Sequence, residues 1–282
     1  MLKRRLIPCI LLRNGVIVQS KGFKRYQLLG TPTVAVERLS DWASDELVYL
    51  DISRHHEYDL RRDDLKSPNR GSILEIIADV ARHAFMPLTF GGGIRTVEDI
   101  VARVHAGADK VAVNTQPLRD PAFVEQASRE VGSQCVVVSI DARANPTGTG
   151  WEVYADGGRE PTGRDPADWA AEVEQRGAGE IFLNSIDRDG RGTGYDLDLI
   201  THVAERVTIP VIACGGAGSW EHMVEALRNT PAAAISAANI FHYTENSVRN
   251  AKKALVAADL DVRGFEPIDL DVTSDRRYGA RP

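Results

Sequence analysis

The sequence predicts an α/β fold, a (β/α)8 TIM barrel built from two duplicated half-barrels. Three observations carry this. Eight short apolar runs alternate with eight amphipathic ones, the apolar runs are continuous, and the two halves repeat each other. Continuous apolar runs are what strands covered on both faces require. Eight such units in roughly 260 residues match the size of a TIM barrel. An open doubly wound sheet is the alternative, and the count of eight with the repeat favours closure.

The first strand, 6–12, is the run LIPCILL, and its helix is 31–44. The second, 46–52, reads ELVYLDI and is followed, after a long loop at 53–70, by a helix at 71–84. The third, 86–90, runs into Gly91, Gly92 and Gly93. Its helix, 96–106, opens Thr96-Val97-Glu98-Asp99, a capping-box-like start. The fourth, 110–113, ends at Asn114 and Thr115 before a helix at 121–131. The fifth, 135–140, ends on Asp141 and precedes a helix at 165–176. The sixth, 180–184, leads through Asp187-Arg188-Asp189-Gly190 to a helix at 196–207. The seventh, 210–213, runs into Gly215 and Gly216 before 219–227, and the eighth, 232–237, meets Ala238 and Asn239 before 245–257. The barrel thus spans 1–258, and 259–282 reads as a polar, extended C-terminal tail.

The halves match at Glu46–Ile52 against Glu180–Ile186 and at the glycines 91–93 against 215–216. The loop at 53–70 largely accounts for their unequal spacing. A duplicated half-barrel predicts duplicated ligand anchors, one per half.

Composition excludes several classes. The chain has 282 residues, 43% hydrophobic and 26% charged, with a net charge of -6. That balance carries no basic footprint for nucleic acid. No apolar run approaches the roughly 18 residues of a membrane span. The basic start MLKRR is followed by a very short apolar stretch without a small-residue cleavage site, so no signal peptide is expected. Cys9, Cys135 and Cys214 lie far apart in apolar runs, as reduced thiols of a cytoplasmic protein do. No CxxC or HxxxH spacing suggests a metal.

Barrel active sites lie at the C-terminal ends of the strands. Gly92 and Gly93 there leave backbone N–H groups free to approach a phosphate at a helix start, and Gly215 and Gly216 repeat the arrangement. Two such sites across one mouth imply a ligand phosphorylated at both ends. Asp141 is the candidate general acid or base. Asp51 and Asp189 are candidates to orient the ligand. His55, His56 and His242 read as solvent or packing residues. At the opposite strand ends Arg5, Glu46, Lys110 and Glu180 start four strands and must pair inside a barrel. Pattern alone leaves open whether they form a stabilising ring or a gate.

At these residues the chain resembles the cyclase subunit of imidazole glycerol phosphate synthase, over roughly residues 1–258. The matching stretches include Ile7-Pro8-Cys9, Gly91–Arg95, Ala108–Val111, Asn114-Thr115, Gly132–Cys135, Trp151–Tyr154, Asp187–Gly190, Gly194–Asp196 and Gly215–Gly218. The resemblance implies a partner glutaminase whose ammonia crosses the barrel to a bis-phosphorylated substrate, with no cofactor. It implies Asp141 as one of two catalytic carboxylates. Gly93, Asn114 and Thr115 then form one phosphate site, and Gly190, Gly216 and Ala238 the other. Arg5, Glu46, Lys110 and Glu180 become the ammonia gate, and Asp109 a docking residue for the glutaminase.

The chain departs from that pattern at Leu11, where the family has its other catalytic Asp, at Gln19 in place of a lysine, and at Asn239 in place of a serine. The long loop at 53–70 also has no counterpart of its length. The start IPCILLRNG, Phe85–Leu88 and Leu183–Ile186 resemble a subgroup associated with sugar amidation in surface polysaccharide (lipopolysaccharide) biosynthesis. Its members work beside a glutaminase-like protein and an ATP-dependent sugar amidotransferase. The leading expectation is therefore an ammonia-handling synthase subunit for sugar amidation. The histidine-pathway cyclase and a non-catalytic ammonia-conducting scaffold are the alternatives.

Overall fold

Eight parallel strands pair in sequence order, and the eighth pairs back onto the first. They are β1 (Arg5–Arg13), β2 (Leu47–Asp51), β3 (Leu88–Gly91), β4 (Lys110–Val113), β5 (Val136–Ala144), β6 (Glu180–Ser185), β7 (Val211–Cys214) and β8 (Ala234–Ala237). The computed structural model of the chain describes residues 3–21, 23, 25–53, 58, 70–242 and 246–264. Among the described residues, eight helices of eight or more residues cover the outside: α1 (Pro32–Asp41), α2 (Ile73–Ala81), α3 (Val97–Ala106), α4 (Ala122–Val131), α5 (Pro166–Gln175), α6 (Leu197–Ala204), α7 (Trp220–Asn229) and α8 (Ser247–Ala257). The predicted (β/α)8 barrel is the observed fold. Most of the 53–70 loop, with His55 and His56, and the tail beyond 264 lie outside the described residues.

The helices begin one or two residues later than the sequence pattern places them, because the first polar residue is the cap. Ser72, Thr96, Asp165, Asp196 and Ser219 each accept a backbone N–H from the first turn of the helix they precede. Thr96 and Asp99 close the expected capping box reciprocally. Gly107, at φ +119, ends α3.

Two hairpins extend the barrel, and neither is among the predicted elements. β1 pairs antiparallel with Val16–Lys21, which pairs with Arg25–Gly30. The turn is Asn14-Gly15, with φ of 51° and 77°. Asn-Gly between apolar runs is the strongest short hairpin signal, since both central residues need positive φ. β5 likewise runs on to pair with Trp151–Ala155.

The register fixes what points inward. From Leu11 the Cα partners run through Leu50, Gly91, Ala112 and Val137 to Glu180. Phe182, two residues further on, leads through Ile212 and Ala234 to Arg5. The circuit therefore closes about eight residues lower, the shear of a TIM barrel. Inward side chains then stack in layers contributed by alternate strands. Ile7, Cys9, Val48, Ala112, Val137, Phe182, Ile212 and Ala234 form the apolar interior, a cluster separate from the larger core between strands and helices. Tyr49 and Phe90 stack at 4.9 Å in that outer core, which also takes in the fully buried Trp169 of α5.

α8 is locked to the barrel by a buried ion pair. Lys252 Nζ lies 2.7 Å from Asp45 Oδ1, with side chains only 2% and 3% exposed. Asp45 Oδ2 accepts the backbone N–H of Leu6 at the start of β1. Truncating one partner strands the other charge in the core. Lys252→Ala is expected to cost about 3–5 kcal/mol of stability in urea titration, and the double variant Lys252→Met/Asp45→Leu to recover much of it.

Candidate active site at the barrel mouth

The two ends of the barrel interior carry different chemistry. At the N-terminal end, Glu46, Lys110 and Glu180 occupy one layer, with Ala234 as its fourth member. Arg5, the register partner of Ala234, completes the ring from β1. Arg5 lies 2.5 Å from Glu46 and 2.7 Å from Glu180, and Lys110 lies 3.0 Å and 2.8 Å from the same two carboxylates. Each acid is thus bridged by both cations, and the ring is neutral. Burial favours the neutral form of Glu46, but Arg5 and Lys110 outweigh it and hold its carboxyl below the usual range. Asp109, beside this ring, is exposed and accepts the N–H of Leu88 at 2.8 Å, which joins the starts of β3 and β4.

At the C-terminal end, Leu11 and Asp141 share the uppermost layer on opposite strands, and Leu11 packs against the apolar interior. The chain leaving β3 and β7 brings Gly93 and Gly216 to the same level. Asp141 is 8% exposed. Asn184 Nδ2 donates to its Oδ1 at 3.3 Å, and Asn114 Nδ2 to its Oδ2 at 3.1 Å. Burial raises the Asp141 carboxyl to about 6. The Asn184 and Asn114 amides pull it down, and the charge of Asp189 pushes it further up.

Several predicted ligand residues converge on the first hairpin. Asp189 accepts from Ser20 Oγ and from the Phe23 N–H, both at 3.2 Å. Asn239 Nδ2 donates to the Ser20 carbonyl at 2.8 Å. Gly190 has φ +64, and a Cβ there would sit 2.8 Å from Lys21 Cα. These contacts tie the hairpin to the ends of β6 and β8, so it crosses part of the mouth. Asp51 is also engaged: Oδ1 accepts from Ser53 N–H and Oγ, and Oδ2 from the Tyr58 hydroxyl at 2.7 Å. Asp51 therefore anchors the start of the long loop. Buried Arg103 lies behind it, donating to the carbonyls of Asp99 and Gly92.

The glycines serve close backbone crossings. A Cβ on Gly92 would come 2.0 Å from the Asp51 carbonyl, and one on Gly216 2.1 Å from the Gly194 carbonyl. Gly215 leaves room for the Ser185 carbonyl and Asn184 Oδ1. Asn114 turns its amide to Asp141 and the Ser139 carbonyl, while Thr115 donates to Asn114 Oδ1 and accepts the Asp156 N–H. Ala238 packs against the apolar interior. His242 is half-buried, its imidazole pushed down to about 4 by burial and by Arg38.

Two contributors lie outside the residues that the sequence pattern marks. Asn184 looks like no more than the end of an apolar strand. Ser20 belongs to the first hairpin, which Asn14-Gly15 signals. Among the described residues, no three His, Cys, Asp or Glu side chains gather as a metal-holding group. No helix of the described residues is long and apolar enough to cross a membrane.

The raised carboxyl has a stability consequence. A folded value near 6, above the unfolded value of about 3.9, favours the protonated native state. That stability is present below about pH 4 and is lost as pH rises through about 6. The stability of Asp141→Asn relative to wild type is therefore expected to grow between pH 4 and pH 7 in thermal melts. A pH-independent difference would contradict the assignment.

The family model "Histidine biosynthesis protein" matches residues 5–247. The chain is 47% identical over 264 residues to the imidazole glycerol phosphate synthase subunit HisF of Hyphomonas neptunium, covering 93% of this chain and 99% of that protein. The subunit HisF of Caulobacter vibrioides is 44% identical over 263 residues, covering 93% and 97%, and that of Streptococcus sanguinis is 43% identical, covering 93% and 100%. With a barrel of this register and a matching family model over most of its length, the chain belongs to the histidine biosynthesis protein family, among its HisF-type subunits.

Proposed function

We propose that this chain is the cyclase subunit of an imidazole glycerol phosphate synthase. It takes ammonia from a glutaminase partner at the charged end of the barrel and joins it to a bis-phosphorylated substrate at the mouth. The observation that carries the reading is axial: a neutral ion ring closes one end, a buried carboxylate near neutrality stands at the other, and apolar side chains line the interior between. The similarity to HisF subunits supports this reading over sugar amidation, the order opposite to that expected from the sequence.

The chemistry follows from the residues. The ring's four charges are mutually satisfied, so a neutral molecule passes it at lower cost than an ion. In the apolar interior ammonia stays unprotonated for the same reason. At the mouth Asp141 moves the protons of nitrogen attack and ring closure, since a group titrating near the working pH can both take and give a proton. The backbone N–H groups at Gly92–Gly93 and Gly215–Gly216, each ahead of a helix start, take the two phosphates. Asp109 and the exposed rim beside the ring form the docking face for the glutaminase. The chain acts in the cytoplasm, without a cofactor.

Leu11 favours a second reading. A leucine moves no proton, so the position opposite Asp141 carries no acid. In that reading the barrel still receives glutamine-derived ammonia but delivers it to a phosphorylated sugar-derived acceptor, working with an ATP-dependent amidotransferase.

Ammonia-driven turnover of the bis-phosphorylated substrate separates the two. Turnover by wild type, lowered about 10²–10⁴-fold in Asp141→Asn, is expected for the cyclase. Absence of wild-type turnover, with activity appearing in Leu11→Asp, favours the second reading. With a glutaminase partner present, Lys110→Ala is expected to lower glutamine-dependent turnover while leaving turnover on free ammonia near wild type. Equal loss of both would remove the gate from the reading.

A further inference from the structure

Asp141 is held from both sides by amides on the two strands that flank it. Asn184 is its register partner on β6, and Asn114 stands at the end of β4. Each donates one hydrogen bond to a different carboxyl oxygen, at 3.3 Å and 3.1 Å. Both carboxyl oxygens are thereby held.

Asn184 is a costly residue to place there. It is 9% exposed, and its Oδ1 is buried with no partner among the described residues. An orphaned buried carbonyl destabilises the fold, which an apolar side chain would not do. The half-barrel repeat pairs Asn184 with Leu50, an apolar residue in the same layer, so packing alone does not require the amide. Reversing the amide would set Oδ1 against the carboxylate, so the charge of Asp141 selects the orientation that leaves Oδ1 unmet. What the position gains is the hydrogen bond to Asp141.

The layer above explains why that bond matters. Opposite Asp141 stands Leu11, so a single carboxyl must both accept and return the proton. The other groups facing it do not share the task. Asp189, from the loop after β6, is tied to the hairpin and acts through its like charge. Tyr154 is its partner in the second hairpin, and Cys214 lies on β7 level with Asn184.

We propose that Asn184 is the positioning residue that lets Asp141 work as the sole acid–base group with Leu11 opposite it. Its amide fixes Oδ1 as Asn114 fixes Oδ2. The carboxyl then takes up and gives back its proton at the mouth in one orientation. This rests on the cyclase reading for the reaction, but the clamp itself is measurable without turnover.

The test is a ¹³C titration of the labelled Asp141 carboxyl, assigned by its loss in Asp141→Asn, alongside the pH profile of ammonia-driven kcat/KM. Removing a donor to the ionised form makes the acid weaker. Asn184→Leu is expected to raise the midpoint by about one pH unit, roughly tenfold in proton affinity, and to move the acid limb of the profile with it. Asn184→Asp is nearly isosteric and serves if the leucine variant fails to fold. It places a second carboxyl beside the first and is expected to raise the upper midpoint further. Unchanged midpoints in the folded variants would overturn the clamp and leave the cyclase reading standing. Shifted midpoints in a protein without turnover would uphold the clamp and remove the cyclase reading.

Discussion

The strand register is the constraint from which the site follows. Each strand slips by about one residue against its neighbour, so the circuit closes eight residues lower and inward side chains fall into layers. A one-residue change in any pairing would turn that strand's inward side chains out to the helices. Two glutamates, one lysine and one arginine meet at one end only because four strands are held in this register. The same register places Leu11 across the mouth from Asp141.

The interior between the ends is small and apolar, which gives both ends their electrostatics. Charges at the base cannot be solvated from above, so they satisfy one another in a closed ring. At the mouth, burial favours the neutral form of Asp141, and only the two amides restrain that shift. The raised carboxyl is a balance of burial and the Asp189 charge against the two amides. It belongs to the place where the strand ends more than to the residue type.

The hairpin after β1 changes the meaning of residues that looked like ligand contacts. Asp189 and Gly190, beyond the end of β6, and Asn239, beyond the end of β8, all meet at Ser20 and Lys21. Asp51 similarly meets Ser53 and Tyr58. These side chains shape the mouth by holding its borders, and a substrate would meet them already hydrogen-bonded. The half-barrel repeat persists in the strands and the glycine turns, while the two hairpins follow β1 and β5, the strands that carry Leu11 and Asp141.

The sequence by itself determined the order and kind of the eight units, because continuous apolar runs and capped amphipathic stretches are local patterns set by burial and backbone hydrogen bonding. It also marked Asp141, the glycine turns and the four charged strand starts, since unusual residue types at strand ends are visible without coordinates. Asn14-Gly15 carries a hairpin signal as well, one that a pattern of parallel strands alone does not include. What the tertiary structure alone decided is who meets whom. Asn184 becomes a donor to Asp141 through the pairing of β5 with β6, 43 residues apart in the chain. Asn239 and Ser20 meet across the closure of the barrel, 219 residues apart. Contacts at such separations arise from ring closure, a property of all eight strands together, so no local pattern encodes them.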